Sequence, residues 1–257
     1  MVCAVAFVAL CGTAQAQQYP RDAAIDGFHG QVKDCKTTTY EALVQDGKMV
    51  HGMVLETLRA YYASNGNKKS MEFLGMQDSV LFRSRYKHDG FGLTTLEQVV
   101  SPDEHVIGRT YYLYNANNVL TEWYVEDAER QVEGRVLMHY DAQGRVDKRS
   151  YNDQFNDVFK RENYTYGVDG NIQKTVVADR TGAKVQERRY EYDEHNMPVS
   201  QTLYDYSEGA EEPEMTFTVY RYKYDEQGNW IQRVEYEMDD FNLNPTYIVE
   251  RKIAYYE

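Results

Sequence analysis

Apolar and polar positions alternate with a period of two along most of the chain, the pattern of β-strands that bury one face. In residues 221–231, Tyr222 and Tyr224 alternate with charged residues. Asp225 then suits the start of a tight turn, and Gly228 suits the position after it, where φ is positive. The alternation resumes after the turn. This stretch therefore predicts a β-hairpin.

The tyrosine that ends the first strand of this hairpin recurs, each time with Gly or Asn four residues later. With Tyr224 and Gly228 as the reference, the spacing aligns Tyr62, Tyr86, Tyr114, Tyr140, Tyr166 and Tyr192 with Gly66, Gly90, Asn118, Gly144, Gly170 and Asn196. The period is 26 residues from Tyr114 to Tyr192, 24 and 28 before that block, and 32 after it. Gly and Asn accept a positive φ at low cost, so the repeat predicts equivalent turns.

Each repeat supplies two strands, so we expect an all-β fold, an antiparallel meander of about 14–18 strands built from hairpins of about 26 residues. Because neighbouring strands are rotated relative to each other, we expect a twisted, curled open sheet that resembles a solenoid. Residues 17–257 form one domain. Its first unit, about 28–60, is degenerate and contains an Asp46-Gly47 hairpin turn. Residues 17–27 show no periodicity and are expected to be loose.

Two segments carry a family resemblance. Residues 140–146 (YDAQGRV) and 224–230 (YDEQGNW) resemble the repeat of the tyrosine–aspartate (RHS-type) repeat family. The chain is also similar to small exported repeat proteins of gut-type Bacteroidetes, and the resemblance covers about residues 30–257. It implies extended β architecture. Large family members form hollow β-sheet shells around toxin domains, but this chain is short and shows no appended toxin domain.

The first residues predict export. Residues 2–16 are apolar and uncharged and end in Ala14-Gln15-Ala16, which is typical of a signal-peptidase site. We interpret residues 1–16 as a signal peptide that is cleaved before Gln17. About 15 apolar residues fall short of the roughly 20 needed to span a membrane, and no transmembrane segment is expected in the mature chain. The protein is therefore expected to be periplasmic, at the cell surface or secreted.

Composition adds two constraints on partners. The net charge of −13, with no visible basic cluster, argues against nucleic acid as a partner. The 24 tyrosines suit half-exposed strands, because the ring is buried while the hydroxyl stays wet. Cys35 is the one cysteine outside the signal peptide, and we interpret it as a small strand residue. The oligomeric state is left open.

Motifs of catalysis are missing from the sequence. The six histidines lack metal-ligand spacing, and neither a Gly-x-Ser-x-Gly elbow nor a phosphate-binding glycine loop occurs. We therefore expect no enzymatic activity, no metal and no cofactor. A pair of carboxylates of the glycosidase kind stays open.

The recurring tyrosines form the one candidate binding site. Residues two apart lie on one face of a strand, and equivalent strands of successive units lie about 10 Å apart, so the rings would form a ladder. A ladder could bind a glycan or an extended peptide; alternatively, the rings hold the sheet together. Arg109, Arg135 and Arg161 lie at the opposite parity, where we expect them to pair with Glu and Asp. The candidates are Tyr112, Tyr114, Tyr140, Tyr164, Tyr166, Tyr190, Tyr192, Tyr222 and Tyr224.

We interpret the chain as a non-enzymatic, exported β-repeat protein that acts as a binding or surface-interaction module for a polymeric partner. Two alternatives stay open. One is a structural envelope component that associates through its sheet edges, and the other is a hydrolase of cell-envelope or dietary polymer.

Overall fold

The computed structural model of the chain describes residues 22–206, 212–239 and 242–257. The predicted signal peptide, its cleavage site and most of the loop at 208–213 lie outside the described residues. Within them, one helical turn, α1 (Asp22–Ile25), and one 3-10 turn (Met76–Asp78) accompany sixteen strands. No helix of the described part is long and apolar enough to cross a membrane.

The strands follow one another in short hairpins. The first eight are β1 (Val32–Gln45), β2 (Lys48–Tyr62), β3 (Lys68–Leu74), β4 (Val80–His88), β5 (Thr94–Val100), β6 (Val106–Tyr114), β7 (Leu120–Asp127) and β8 (Val132–Tyr140). The second eight are β9 (Val146–Asp153), β10 (Val158–Tyr166), β11 (Ile172–Asp179), β12 (Lys184–Tyr192), β13 (Pro198–Asp205), β14 (Glu214–Tyr224), β15 (Trp230–Asp239) and β16 (Asn242–Tyr255).

The sheet closes into a barrel. Each strand pairs antiparallel with its neighbour in the chain, and β1 also pairs with β16, where Thr37 faces Arg251 and Thr39 faces Val249. The all-β meander of 14–18 strands is confirmed, but the open, solenoid-like sheet is wrong. The physical reason is that twist and curl accumulate over sixteen strands until the two edges meet. Closure then pairs the N–H and C=O groups that an open edge would expose.

The predicted turns form with one exception. Positive φ values of 58–85° occur at Gly66, Asn118, Gly144, Gly170, Asn196 and Gly228. Gly90 was predicted wrongly, because Gly92 carries the positive φ of 83° in its unit. There β4 ends at His88 rather than Tyr86, so His88 occupies the position of the recurring tyrosine. The period is therefore 26 residues from Tyr62 through His88 to Tyr192.

In the turn that follows each recurring tyrosine, or His88, an Asp or Asn side chain accepts a hydrogen bond from the backbone of the turn. Asp141 is representative, because its Oδ1 accepts hydrogen bonds of 2.9 Å from the backbone N–H groups of Gln143 and Arg145. These turns define one end of the barrel, which we call the tyrosine rim. At the other end, which we call the opposite rim, Asp153 and Asp179 hold their turns in the same way.

The parity of the tyrosines defines the inner face of the barrel. In β4, β6, β8 and β10, every exposed residue has the other parity, including Leu81, Ile107, Leu113 and Phe159. Residues of the tyrosine parity in these strands are buried or half-buried. Since the interior of a barrel is the more crowded side, the tyrosine parity faces inward.

The residues before β1 are docked rather than loose. Ala23 and Phe28 form a buried cluster with Val32, Cys35 and Tyr62 on the inner side of the barrel. The expectation of a loose segment is therefore wrong for residues 22–27. These residues have no hydrophobic periodicity, but Ala23 packs against the barrel, and the search for alternating strands could not detect such a contact. Burial raises the pKa of the Cys35 thiol, which fits a small strand residue and not a nucleophile.

Candidate functional site

The nine candidate tyrosines share the inner face, as their common parity predicted, and all of them are half-buried. They form two groups. The rim tyrosines end their strands at the tyrosine rim, and they are Tyr114, Tyr140, Tyr166, Tyr192 and Tyr224. The deeper tyrosines lie two residues earlier in their strands, and they are Tyr112, Tyr164, Tyr190 and Tyr222. The two groups use their hydroxyls differently.

The rim tyrosines tie successive hairpins together. The hydroxyl of Tyr114 donates to the carbonyl oxygen of Thr94 at 2.9 Å, that of Tyr166 to Val146 at 2.7 Å and that of Tyr192 to Ile172 at 2.9 Å. Tyr140 donates to the Leu120 carbonyl in the same way. Each acceptor lies twenty residues earlier in the chain. These hydroxyls are therefore engaged in holding the sheet.

Burial raises the pKa of Tyr114 to about 12, helped by the nearby Asp22 and Asp89 carboxylates. Since this pKa lies well above neutrality, the hydroxyl is a donor under physiological conditions. Tyr222 and Tyr224 continue the pattern with different acceptors. Tyr222 donates to the Pro198 carbonyl at 2.9 Å, and Tyr224 donates to the Asp193 carboxylate at 3.2 Å.

Two of the deeper tyrosines, Tyr112 and Tyr164, donate to inner-wall carboxylates. Tyr112 donates to Glu97 at 3.2 Å, and Tyr164 donates to Glu162 at 2.6 Å. Burial raises the pKa of both hydroxyls, which keeps them neutral. Burial alone would also raise the pKa of Glu162, but hydrogen bonds from Tyr164 and other donors hold it below its ordinary range. Glu162 is therefore an ionised acceptor.

Three inner-wall arginines escaped the sequence analysis. Arg149 lies 5.3 Å from the Tyr164 ring centroid and 5.8 Å from that of Trp123. Arg233 lies 5.5 Å from the Trp230 ring, and Arg251 lies 3.5 Å from the same ring. Cations at these separations are attracted by the negative faces of the rings. They face inward through cross-strand register, since Arg233 pairs with Tyr222 and Arg149 pairs with Met138. The bulge at each turn shifts this register, so the tyrosine spacing alone did not identify them.

The three arginines just described lie in one half of the inner wall, along β9–β16. The other half, along β2–β8, carries the stacked rings of Phe73 and Phe82, whose centroids are 4.0 Å apart, together with Tyr112, Tyr114 and Tyr140. Because many of these residues are half-buried rather than fully buried, both halves are partly open to solvent inside the barrel.

Residues 22–31, which we call the N-terminal segment, are fixed to the tyrosine rim at two points. At its start, the Asp22 carboxylate accepts from the backbone N–H of Lys68 at 2.6 Å and the Thr94 hydroxyl at 3.0 Å, and lies 2.6 Å from His88 Nε2. His88 is the residue that replaces the recurring tyrosine. The one unit without a rim tyrosine is thus where the segment docks.

The end of the N-terminal segment is fixed at a distant turn. The backbone N–H of His29 donates to Asn229 Oδ1 at 2.7 Å, and Asn229 Nδ2 donates back to the His29 carbonyl at 2.9 Å. The segment therefore bridges the β4–β5 and β14–β15 turns. A cavity of about 220 Å³ lies between it and the inner wall at Tyr112 and Tyr114.

The arginines of opposite parity lie on the outer face. Arg135 pairs with Glu122 at 3.3 Å, as expected. Arg109 and Arg161 instead donate to the backbone carbonyls of Asp127 and Asp179, at 3.4 and 3.5 Å. The ladder thus braces the turns of the opposite rim as well as pairing with acidic side chains.

These features define a closed, sixteen-stranded antiparallel barrel with a tyrosine- and arginine-bearing inner wall and a segment fixed across one rim. No protein-family model and no curated protein matches the chain. A porin-like protein from Bacteroides uniformis is similar in structure, with a TM-score of 0.56, 10% sequence identity, and coverage of 88% of this chain and 98% of that chain. This likeness shows the fold.

A second porin-like protein, from Bacteroides vulgatus, has a TM-score of 0.35 at 10% identity, with 88% of this chain and 99% of that chain covered. The resemblance to the tyrosine–aspartate repeat family rests on the sequence segments alone, since no family model matches.

Proposed function

We propose that the protein is an exported, non-enzymatic binding module of the cell envelope whose partner is a polymeric glycan or peptide. The observation that carries this proposal is the inner wall, where tyrosine rings and arginines lie together and remain half-exposed. Aromatic faces stack on sugar rings and apolar side chains, and guanidinium groups bind carboxylates and carbonyls.

The outer face supports a barrel that works in water. It carries Arg109, Arg135 and Arg161, and also Lys148 and Lys174, at positions that lipid would cover in a membrane-embedded barrel. A cation on the lipid-facing side costs about 2–4 kcal/mol at the bilayer midplane. These cations support a binding module that works in water over a membrane-embedded pore.

Closure of the sheet weighs against the structural alternative. Assembly through sheet edges needs unpaired N–H and C=O groups, and the pairing of β1 with β16 removes both edges. The proposal therefore favours binding over edge-to-edge assembly.

The test is a glycan and peptide array on the intact protein, run beside a panel of hydrolase substrates. Tyr164→Ala should weaken binding of the selected ligand a few-fold, since an aromatic contact is worth about 0.5–1.5 kcal/mol beyond its area. Tyr111→Ala on the outer face is the matched control. Melting temperature is measured on both variants. If Tyr164→Ala lowers stability while the folded protein binds as before, the inner tyrosines are structural and the proposal fails. Turnover of a substrate would favour the hydrolase instead.

A further inference from the structure

A groove of about 1020 Å³ lies on the outer side of strands β1–β5 and reaches the tyrosine rim. Its floor includes a row of cross-strand neighbours that runs from Asp34 through Tyr61, Ser70 and Arg85 to Gln98. Barrels have a hyperboloid shape, so their outer wall is concave along the axis. The groove is thus built by five consecutive strands.

The groove is cationic in an acidic protein. The chain has a net charge of −13, yet the groove is lined by six cations and two carboxylates, Asp34 and Glu72. The cations are Lys33, Arg59, Lys69, Arg83, Arg85 and Lys87. They come from four strands, and three of them, Arg83, Arg85 and Lys87, alternate along β4. The absence of a basic cluster inferred from the sequence is therefore wrong for the folded chain.

The arginines of the groove are held in place by carboxylates. Arg59 pairs with Asp34 at 2.9 Å, and Arg83 pairs with Glu72 at 2.7 Å. Arg85 pairs with the exposed Glu104 at the edge of the groove. These pairs fix the guanidinium groups while leaving other N–H donors for a ligand.

The lysines are different. Lys33, Lys69 and Lys87 are exposed, and within the described residues no carboxylate lies within ion-pair distance of them. All three stand near the tyrosine rim, at the start of β1, the start of β3 and the end of β4. Lys33 and Lys69 lie on strands two apart, about 10 Å, whereas Lys69 and Lys87 lie on the neighbouring strands β3 and β4, about 5 Å apart, so the three ammonium groups are spread across the width of four strands.

We propose that this groove binds an acidic glycan, a polysaccharide that carries carboxylate or sulfate groups at intervals. The unpaired lysines face the anionic groups. The Tyr61 ring, which lies 5.2 Å from the Arg59 guanidinium, offers an aromatic surface for a sugar ring. Ser70 and Gln98 are neutral hydrogen-bonding partners for hydroxyl groups.

The spacing and the net charge favour a glycan over nucleic acid. Double-stranded DNA carries one charge per roughly 1.7 Å of its axis, and a protein of net charge −13 repels so dense a polyanion. A polymer with sparser charges loses less to that repulsion and matches lysines on separate strands. The cations of the groove are different residues from the tyrosines and arginines of the inner-wall proposal, so the two proposals can be tested separately.

The experiment measures binding of the intact protein to polygalacturonate, a sparsely sulfated galactan, neutral dextran and a double-stranded oligonucleotide by calorimetry, at about 50 and 200 mM salt. The groove variant combines Lys33→Gln, Lys69→Gln and Lys87→Gln. The matched control combines Lys148→Gln, Lys174→Gln and Lys223→Gln, which remove the same charge from β9, β11 and β14. Melting temperatures confirm that both variants fold, and Lys87→Gln alone serves as a milder groove variant.

We expect an acidic glycan to bind the native protein and dextran not to bind. The groove variant should lose about tenfold in affinity, and its slope of log K against log salt should become shallower, because three cations that displace counterions are removed. The control should keep the native slope. Equal weakening in both variants, binding of dextran, or no binding of either acidic glycan overturns the proposal. Tighter binding of the oligonucleotide overturns it in favour of nucleic acid.

Discussion

The regular strands β3–β12 and the closing strands β1, β2 and β16 differ in length and in packing. The regular strands have 7–9 residues each, whereas the closing strands have 14 or 15. Two buried clusters of apolar side chains lie at the closure, one around Val32 and Tyr62 and the other around Val234 and Ile248. The regular strands thus build the circumference, and the closing strands provide a core that holds it shut.

Deletion of one repeat should have a very different effect from deletion of the closure. Removing residues 115–140 takes out one 26-residue unit and joins Tyr114 to Asp141 in register, so we expect a soluble barrel of fourteen strands. Removing residues 232–257 takes out the same number of residues but leaves open edges, so we expect aggregation. Sedimentation and thermal unfolding distinguish the two. Aggregation of the first variant would show that the regular units are not interchangeable.

A core substitution at the closure should cost more than one on a regular strand. Ile248 is 2% exposed and Leu113 is 43% exposed. Ile248→Ala should lower the free energy of unfolding by about 2–5 kcal/mol, because it leaves a cavity. Leu113→Ala should change it by less than about 0.5 kcal/mol. Denaturant titration measures both, and similar losses would mean that the core is spread evenly around the barrel.

The tyrosine hydroxyls should show the same contrast at a smaller scale. At the closure, Tyr62 donates to the Asp26 carboxylate, whereas Tyr114 on a regular strand donates to the Thr94 carbonyl. Hydrogen bonds to charged groups contribute more than those to neutral ones. Tyr62→Phe should therefore cost about 1.5–3 kcal/mol of unfolding free energy, and Tyr114→Phe about 0.5–1.5 kcal/mol. The reverse order in calorimetric unfolding would contradict this assignment.

The last contrast is between two glycines at turns of the regular block. A Cβ at Gly144 or Gly90 would meet no atom within 4 Å, but only Gly144 has a positive φ, of 78°. Gly144→Ala should therefore cost about 1–2 kcal/mol through backbone strain. Gly90→Ala, the matched control, should be close to neutral. A loss at Gly90 as large as that at Gly144 would refute the turn register found here.

The sequence predicted the features that depend on local spacing. Strand count, turn residues such as Gly144 and the shared face of the tyrosines all follow from patterns within about 26 residues. Closure could not be predicted this way, because the pairing of Thr37 with Arg251 joins the two ends of the chain. Closure determines where the tyrosines lie, because the face that carries them becomes the inner wall of a barrel and not one side of an open sheet.

His88 and the groove were missed for different reasons. Tyr86 lies two residues before His88 on the same face of the strand, so it was aligned with the recurring tyrosines in place of His88. The better signal was Asp89, which follows His88 as Asp141 follows Tyr140. The groove was missed because its cations are scattered between residues 33 and 87. Their proximity arises from strand register, which the hydrophobic pattern alone does not determine.

The even number of strands has a consequence for how the barrel can be oriented. The described chain enters at α1 and leaves after β16 at the same rim, where the backbone N–H of Tyr256 donates to the Gln31 carbonyl at 2.8 Å. Anything attached before residue 22 or after residue 257 would therefore hold the barrel by its tyrosine rim. The opposite rim would then point away from the point of attachment, and the cationic groove would lie on the side of the barrel.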